Sequence, residues 1–288
     1  RIQTRSDWFQ VYEAAASVYA LVEPFQFQEA ISYLIVGKDR ALLFDTGIGL
    51  VPIRPVVEEL TRLPVLVLNS HTHFDHVGGN AEFDHILALD TPYPRANAQG
   101  FEHEALRGEV EPDSFCQGAP RGVDTAAYHT RPWQPTRFVT DLEKIDLGGR
   151  VLEVLQVPGH TPDALALLDR GQGLLWTGDS FYEGAIWLYV PETDLDAYER
   201  SIARLAALVP GLKHLLPAHN TADAEPRRLV QTKDAIRQVR SGGVKGRTES
   251  GNRLVFEFDG FSILTSKALL EGRTGDRARG GSGLTTWP

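Results

Sequence analysis

"NSHTHFDHVGGN", residues 69–80, places His71, His73, Asp75 and His76 within six consecutive positions. The run just before it, "PVLVLNS" (64–70), is apolar, of strand length and carries β-branched residues;. The cluster therefore starts where a buried strand gives way to a loop, which is where open α/β sheets bind their ligands. Imidazole nitrogens and carboxylate oxygens are the donors that hold zinc and similar divalent ions. His71 and His73, on alternate residues of a tight turn, suit one ion. Asp75 and His76 reach a second ion if the chain turns there, which the paired glycines of "HVGGN" would allow;. Four ligands from so short a stretch would crowd a single ion, so further donors are expected elsewhere.

Three strand ends provide them. His160 follows "LQVPG", Asp179 follows "LLWTG" and His219 follows "LLPA", each an apolar run, then a breaker, then a ligand-capable side chain. A carboxylate spans two ions where an imidazole does not, so Asp179 is expected to bridge, with His160 on the first ion and His219 on the second. A single histidine at a strand end is more often a surface or satisfied core residue, and His85, His103, His129 and His214 are read that way.

The pattern H-x-H-x-D-H, matched by His71, His73, Asp75 and His76, resembles that of the metallo-β-lactamase-fold hydrolases. The resemblance continues through "FDTG" (44–47), "PGHTPD" (158–163), "TGDSFY" (177–182) and "PAHN" (217–220), in the family's order over roughly residues 10 to 240. It implies an α/β fold, a four-layer αββα sandwich, and a dinuclear centre. His71, His73 and His160 would hold one ion, Asp75, His76 and His219 the other, and Asp179 would bridge. The ions expected are two divalent metals, zinc first, with iron or manganese as alternatives.

Such a centre holds a bridging water of lowered pKa, a hydroxide nucleophile at neutral pH, with Asp75 orienting the water or carrying its proton. Tyr182, three residues after Asp179, is expected to offer its hydroxyl to a carbonyl or leaving group. That Asp-x-x-Tyr spacing is similar to acyl-homoserine-lactone lactonases, and "TGDSFYEG" is equally similar to acyl-CoA thioesterases of this fold. Phe181, Trp187, Tyr189 and Trp133 are candidates for an apolar wall. The expected activity is metal-dependent hydrolysis of a carboxylic ester, thioester or lactone. The alternatives are a mononuclear non-haem iron oxygenase, a β-lactamase or a phosphodiesterase.

Composition bounds this reading. The 288 residues are 42% hydrophobic and 23% charged, enough for one large core or two smaller ones;. Asp and Glu outnumber Lys and Arg by 38 to 29, and a net charge of -9 repels polyanions, so a small-molecule substrate is expected and nucleic acid is not;. One cysteine, Cys116, excludes an internal disulfide and any multi-thiolate metal site;. No apolar run reaches membrane-span length, and the expected compartment is the cytoplasm, with a removed leader left open.

Residues 1–270 are expected to form a single domain, followed by a loose Gly- and charge-rich tail over 271–288. Within the domain, strands are expected over 8–14, 18–24, 30–37, 40–47, 85–89, 150–157, 163–169, 173–179 and 213–219. Helices are expected over 52–63, 96–108, 194–209 and 224–240. The breaker-rich stretch 108–136 reads as a loop lining the site.

Overall fold

The structure, a computed structural model, describes residues 1–249 and 252–272. Most of the expected tail over 271–288 thus lies outside the described residues. The chain divides into two compact units, Arg1–Thr140 with Ile145–Val151, and Asp141–Lys144 with the stretch from Leu152 onward.

The first unit is built on a seven-stranded sheet in chain order. Its strands are β1 (Gln10–Ala15), β2 (Val18–Val22), β3 (Ile31–Val36), β4 (Ala41–Phe44), β5 (Val65–Leu68), β6 (Ile86–Leu89) and β7 (Arg137–Val139). β1 to β4 pair antiparallel, and β4 to β7 pair parallel. "ISYLIV" and "ALLF" of β3 and β4 are buried along nearly their whole length, the pattern of strands covered on both faces;. Parallel neighbours need a crossover, and α1 (Arg54–Leu60) supplies it between β4 and β5, opening on a proline and burying Val56 and Val57;. Three shorter helices follow, α2 (Phe74–Val77), α3 (Pro92–Asn97) and α4 (His103–Leu106).

α3 and α4 replace the single helix expected over 96–108. Gly100, at φ +84°, turns the chain out of the helix, and a Cβ there would lie 2.3 Å from the Thr130 carbonyl oxygen;. Thr130 then takes the backbone bonds a continuous helix would have made: Phe101 N donates to its Oγ1 at 2.8 Å, and its own N donates to Phe101 O at 3.0 Å. The stretch 108–136 is anchored in the same way. Phe27 N donates to Ser114 O, Cys116 N to Phe25 O, and Tyr128 Oη to Ile48 O at 2.6 Å. Val110, Phe115, Tyr128 and Trp133 belong to the core of this unit.

A five-stranded sheet runs β13 (His214–Pro217), β11 (Leu174–Gly178), β10 (Leu165–Asp169), β9 (Val151–Gln156) and β8 (Lys144–Asp146). β12 (Gly184–Trp187), β16 (Phe261–Ser266), β15 (Arg253–Phe258) and β14 (Arg247–Thr248) form another. The hairpin β15–β16 lies beyond the strands expected above, although Asp259-Gly260 between two apolar-rich runs is a hairpin signal;.

α5 (Leu195–Ala206) and α6 (Arg227–Ser241) cover this core, and α7 (Lys267–Leu270) closes the described chain. α5 starts where the Asp194 side chain accepts from Ala197 N at 2.9 Å, and it buries Leu195, Tyr198, Ile202 and Leu205 along one face;. α6 stops at Gly242, whose φ of 72° is left-handed;. Among the described residues no helix is long and apolar enough to cross a membrane.

Candidate metal centre

In the first unit the donors begin at His71, three residues after a tightly bonded strand end. β5 stops at Leu68, and Asn69 Nδ2 donates to His76 O at 2.6 Å. Thr46 N also donates to that carbonyl, at 2.9 Å, while the side chains of Asn69, Asn80 and Thr46 bond one another. With its backbone held at both ends, the loop delivers four buried side chains. His71 Nε2 and His73 Nδ1 lie 3.0 Å apart, both turned to one point. His76 Nε2 lies 3.5 Å from Asp75 Oδ2.

The far sides of these rings are bonded too. His71 Nδ1 meets Ser70 Oγ at 3.1 Å, and His76 Nδ1 meets Asp45 Oδ2 at 3.0 Å and Ser70 Oγ at 3.2 Å. A proton on His76 Nδ1, donated to the Asp45 carboxylate, leaves Nε2 as the electron-pair donor on the side of Asp75. Asp45 itself holds a left-handed backbone, φ 65°, and its Oδ1 accepts from Ser70 N at 2.6 Å. One carboxylate thus orients His76 and anchors the loop that carries His71.

The chain turns at the paired glycines. Neither Gly78 nor Gly79 has a positive φ. Gly78 is required by close approach instead, since a Cβ on it would lie 2.0 Å from Ile48 O.

In the second unit the three remaining donors meet at Asp179. Its Oδ2 lies 3.6 Å from His160 Nε2, and its Oδ1 lies 3.2 Å from His219 Nε2. His160 Nδ1 donates to the Trp187 carbonyl at 2.7 Å, which puts its electron pair on Nε2, the nitrogen facing Asp179;. All seven residues are buried, and all seven fall in groups of histidine and aspartate able to hold metal ions. Their donor set of imidazole nitrogen and carboxylate oxygen, with the rings of His71, His76 and His160 each held by a bond on the far side, fits a divalent cation;.

Tyr182 Oη donates to Ala185 O at 2.6 Å and accepts from Trp187 N at 3.2 Å, and its ring lies edge-on to His219 with centroids 5.0 Å apart. Of the four aromatics considered for an apolar wall, Phe181 and Trp133 are core residues of their own units. Trp187 and Tyr189 are half-buried and packed together, centroids 5.4 Å apart. His103, His129 and His214 each bond a neighbouring carbonyl or carboxylate, and His85 is exposed.

Two further carboxyls in the first unit are electrically linked to the cluster. Burial, reinforced by the charge of Asp75, pushes Glu109 up to about 7, against a hydrogen bond from Gln28 that lowers it. Burial likewise pushes Glu23 up to about 7, although Trp8 Nε1 and Ile48 N both donate to its oxygens. Asp45, Glu109 and the Trp187 carbonyl are absent from the candidates read from sequence. "FDTG" contains Asp45, but its partner is 31 positions away, and a backbone carbonyl carries no side-chain signal.

Comparison with known proteins places these features in one lineage. The family model described as metallo-beta-lactamase superfamily matches residues 30–221, more than half of the chain. The chain is 28% identical over 236 residues to the human acyl-coenzyme A thioesterase MBLAC2, covering 76% of this chain and 84% of that one. It is 27% identical over 194 residues to a hydroxyacylglutathione hydrolase of Aeromonas salmonicida, covering 66% and 61%. Among solved structures, a metallo-beta-lactamase from Pontibacter korlensis shares the fold at TM-score 0.57 and 17% identity, covering 80% of this chain and 99% of that one. With its H-x-H-x-D-H turn, its strand-end donors and this match, the chain belongs to the metallo-beta-lactamase superfamily.

Proposed function

We propose that this chain is a metal-dependent hydrolase of small-molecule thioesters that holds two divalent ions, zinc in the first instance, with residues 1–270 working as one domain. His71, His73 and His160 would hold one ion, Asp75, His76 and His219 the other, and Asp179 would lie between them. The observation that carries the two-ion reading is Asp179, whose two oxygens face two different imidazoles. An acyl-coenzyme A is the favoured substrate class, because similarity to MBLAC2 extends over most of both chains.

When bound, ions of this kind supply Lewis acidity and bring the pKa of a water down to about 7. The chain's own residues do the rest. Asp45 and the Trp187 carbonyl fix the imidazoles of His76 and His160 so that their outward nitrogens are electron-pair donors, Ser70 holds the ring of His71, and little reorganisation would remain when ions bind;. Asp75, buried beside His76, takes the proton that water loses as it attacks the thioester carbonyl carbon;. The carbon–sulfur bond breaks, a carboxylic acid and a thiol leave, and the proton passes from Asp75 to the departing sulfur.

Zinc-loaded protein should hydrolyse an acyl-coenzyme A series, lose that activity to a chelator and regain it with zinc. Turnover of a lactone or a β-lactam with no turnover of any thioester would overturn the assignment.

A further inference from the structure

Tyr182 occupies the turn between β11 and β12, and its two ends touch different parts of the second unit. At the hydroxyl end, Oη donates to Ala185 O at 2.6 Å and accepts from Trp187 N at 3.2 Å. Those bonds fix the backbone of β12 at the residue whose carbonyl takes the Nδ1 proton of His160, at 2.7 Å. At the ring end, the tyrosine stands at 63° to the His219 imidazole with centroids 5.0 Å apart. The same turn is tied once more to the residue after His219, because Asn220 Nδ2 donates to Glu183 O at 2.6 Å. A hydroxyl that already donates to a carbonyl and accepts from an amide, in a side chain 6% exposed, has its proton engaged within the fold;.

We propose that Tyr182 is a positioning residue for the metal centre, setting His160 through the β12 backbone by its hydroxyl and setting His219 directly by its ring. This rests on the two-ion reading given above. The two effects are separable. Tyr182→Phe removes the hydroxyl bonds and keeps the ring, so it acts on the ion held by His160. Tyr182→Leu removes both, so it acts on both ions. Partners that orient metal-bound histidines typically contribute about 10- to 100-fold in metal affinity.

The test is zinc titration of metal-free wild type, Tyr182→Phe and Tyr182→Leu against a competing chromophoric chelator, with the far-UV spectrum of each apo-protein confirming that it is folded. Wild type should take up two ions per chain. Tyr182→Phe should bind one of them about tenfold more weakly and the other as before, and Tyr182→Leu should weaken both. In a histidine-selective nitrogen-15 spectrum of the apo-protein, the Nδ1-protonated signature of His160 should be present in wild type and lost in Tyr182→Phe.

Failure has two distinct forms. Wild type that takes up no zinc overturns the metal reading and this assignment with it. Wild type that binds two ions beside a Tyr182→Phe variant of unchanged affinity overturns the assignment alone, and a lower kcat in that variant would return Tyr182 to the substrate.

Discussion

Glu109 shows how single residues carry the electrostatics of the first unit. Its carboxyl is buried, accepts from Gln28 Nε2 at 3.2 Å and feels the charge of Asp75, and its pKa stands at about 7 instead of the ordinary 4.5. The folded state therefore keeps a proton that the unfolded chain releases. Its contribution is fully present below the unfolded pKa and falls as pH rises through the folded one, by about 3 kcal/mol in all. In denaturant unfolding of the metal-free protein between about pH 5 and 8, wild type should lose stability relative to Glu109→Gln by that order of magnitude. Parallel pH profiles for the two would remove Glu109 from the account.

Residues of this kind are the least legible from sequence. His71, His73, Asp75 and His76 announce themselves because four ligand types crowd six positions. Asp45 and Glu109 gain their roles from partners 30 or more positions away, Asp45 from His76 and Glu109 from Gln28 and Asp75. Nothing in their neighbours' identities marks those contacts.

At the scale of elements, strands that are continuous apolar runs were easy to place, because β4, β10 and β11 are buried on both faces and have no polar alternation to obscure them;. The composition of 96–108 is helical, whereas its interruption depends on Thr130 meeting Gly100, which the local sequence does not encode. Gly78 makes the same point. Its conformation suits any residue, and only the approach of the Ile48–Gly49 backbone demands glycine. Gly78→Ala should cost about 3 kcal/mol, the upper range of overpacking, whereas Gly108→Ala, with nothing within 4 Å of the new Cβ, should be near neutral;. Thermal unfolding of the two variants checks this, and equal midpoints would contradict the close-contact reading.

For the molecule as a whole, the superfamily was readable from five short motifs because metal chemistry restricts residue type and order more than packing does. The substrate is less readable, since acyl-carrier recognition depends on surfaces that no motif encodes; the thioester class proposed here rests on similarity to MBLAC2. The net charge of -9 opposes polyanion capture, and bound divalent ions would partly offset it;.

The central claim is that seven side chains hold a pair of ions with Asp179 shared. Elemental analysis of wild type and Asp179→Ala, each saturated with zinc and freed of excess, tests it most directly. Two ions per chain in wild type and at most one in Asp179→Ala is the predicted result; two ions retained by the variant would contradict it.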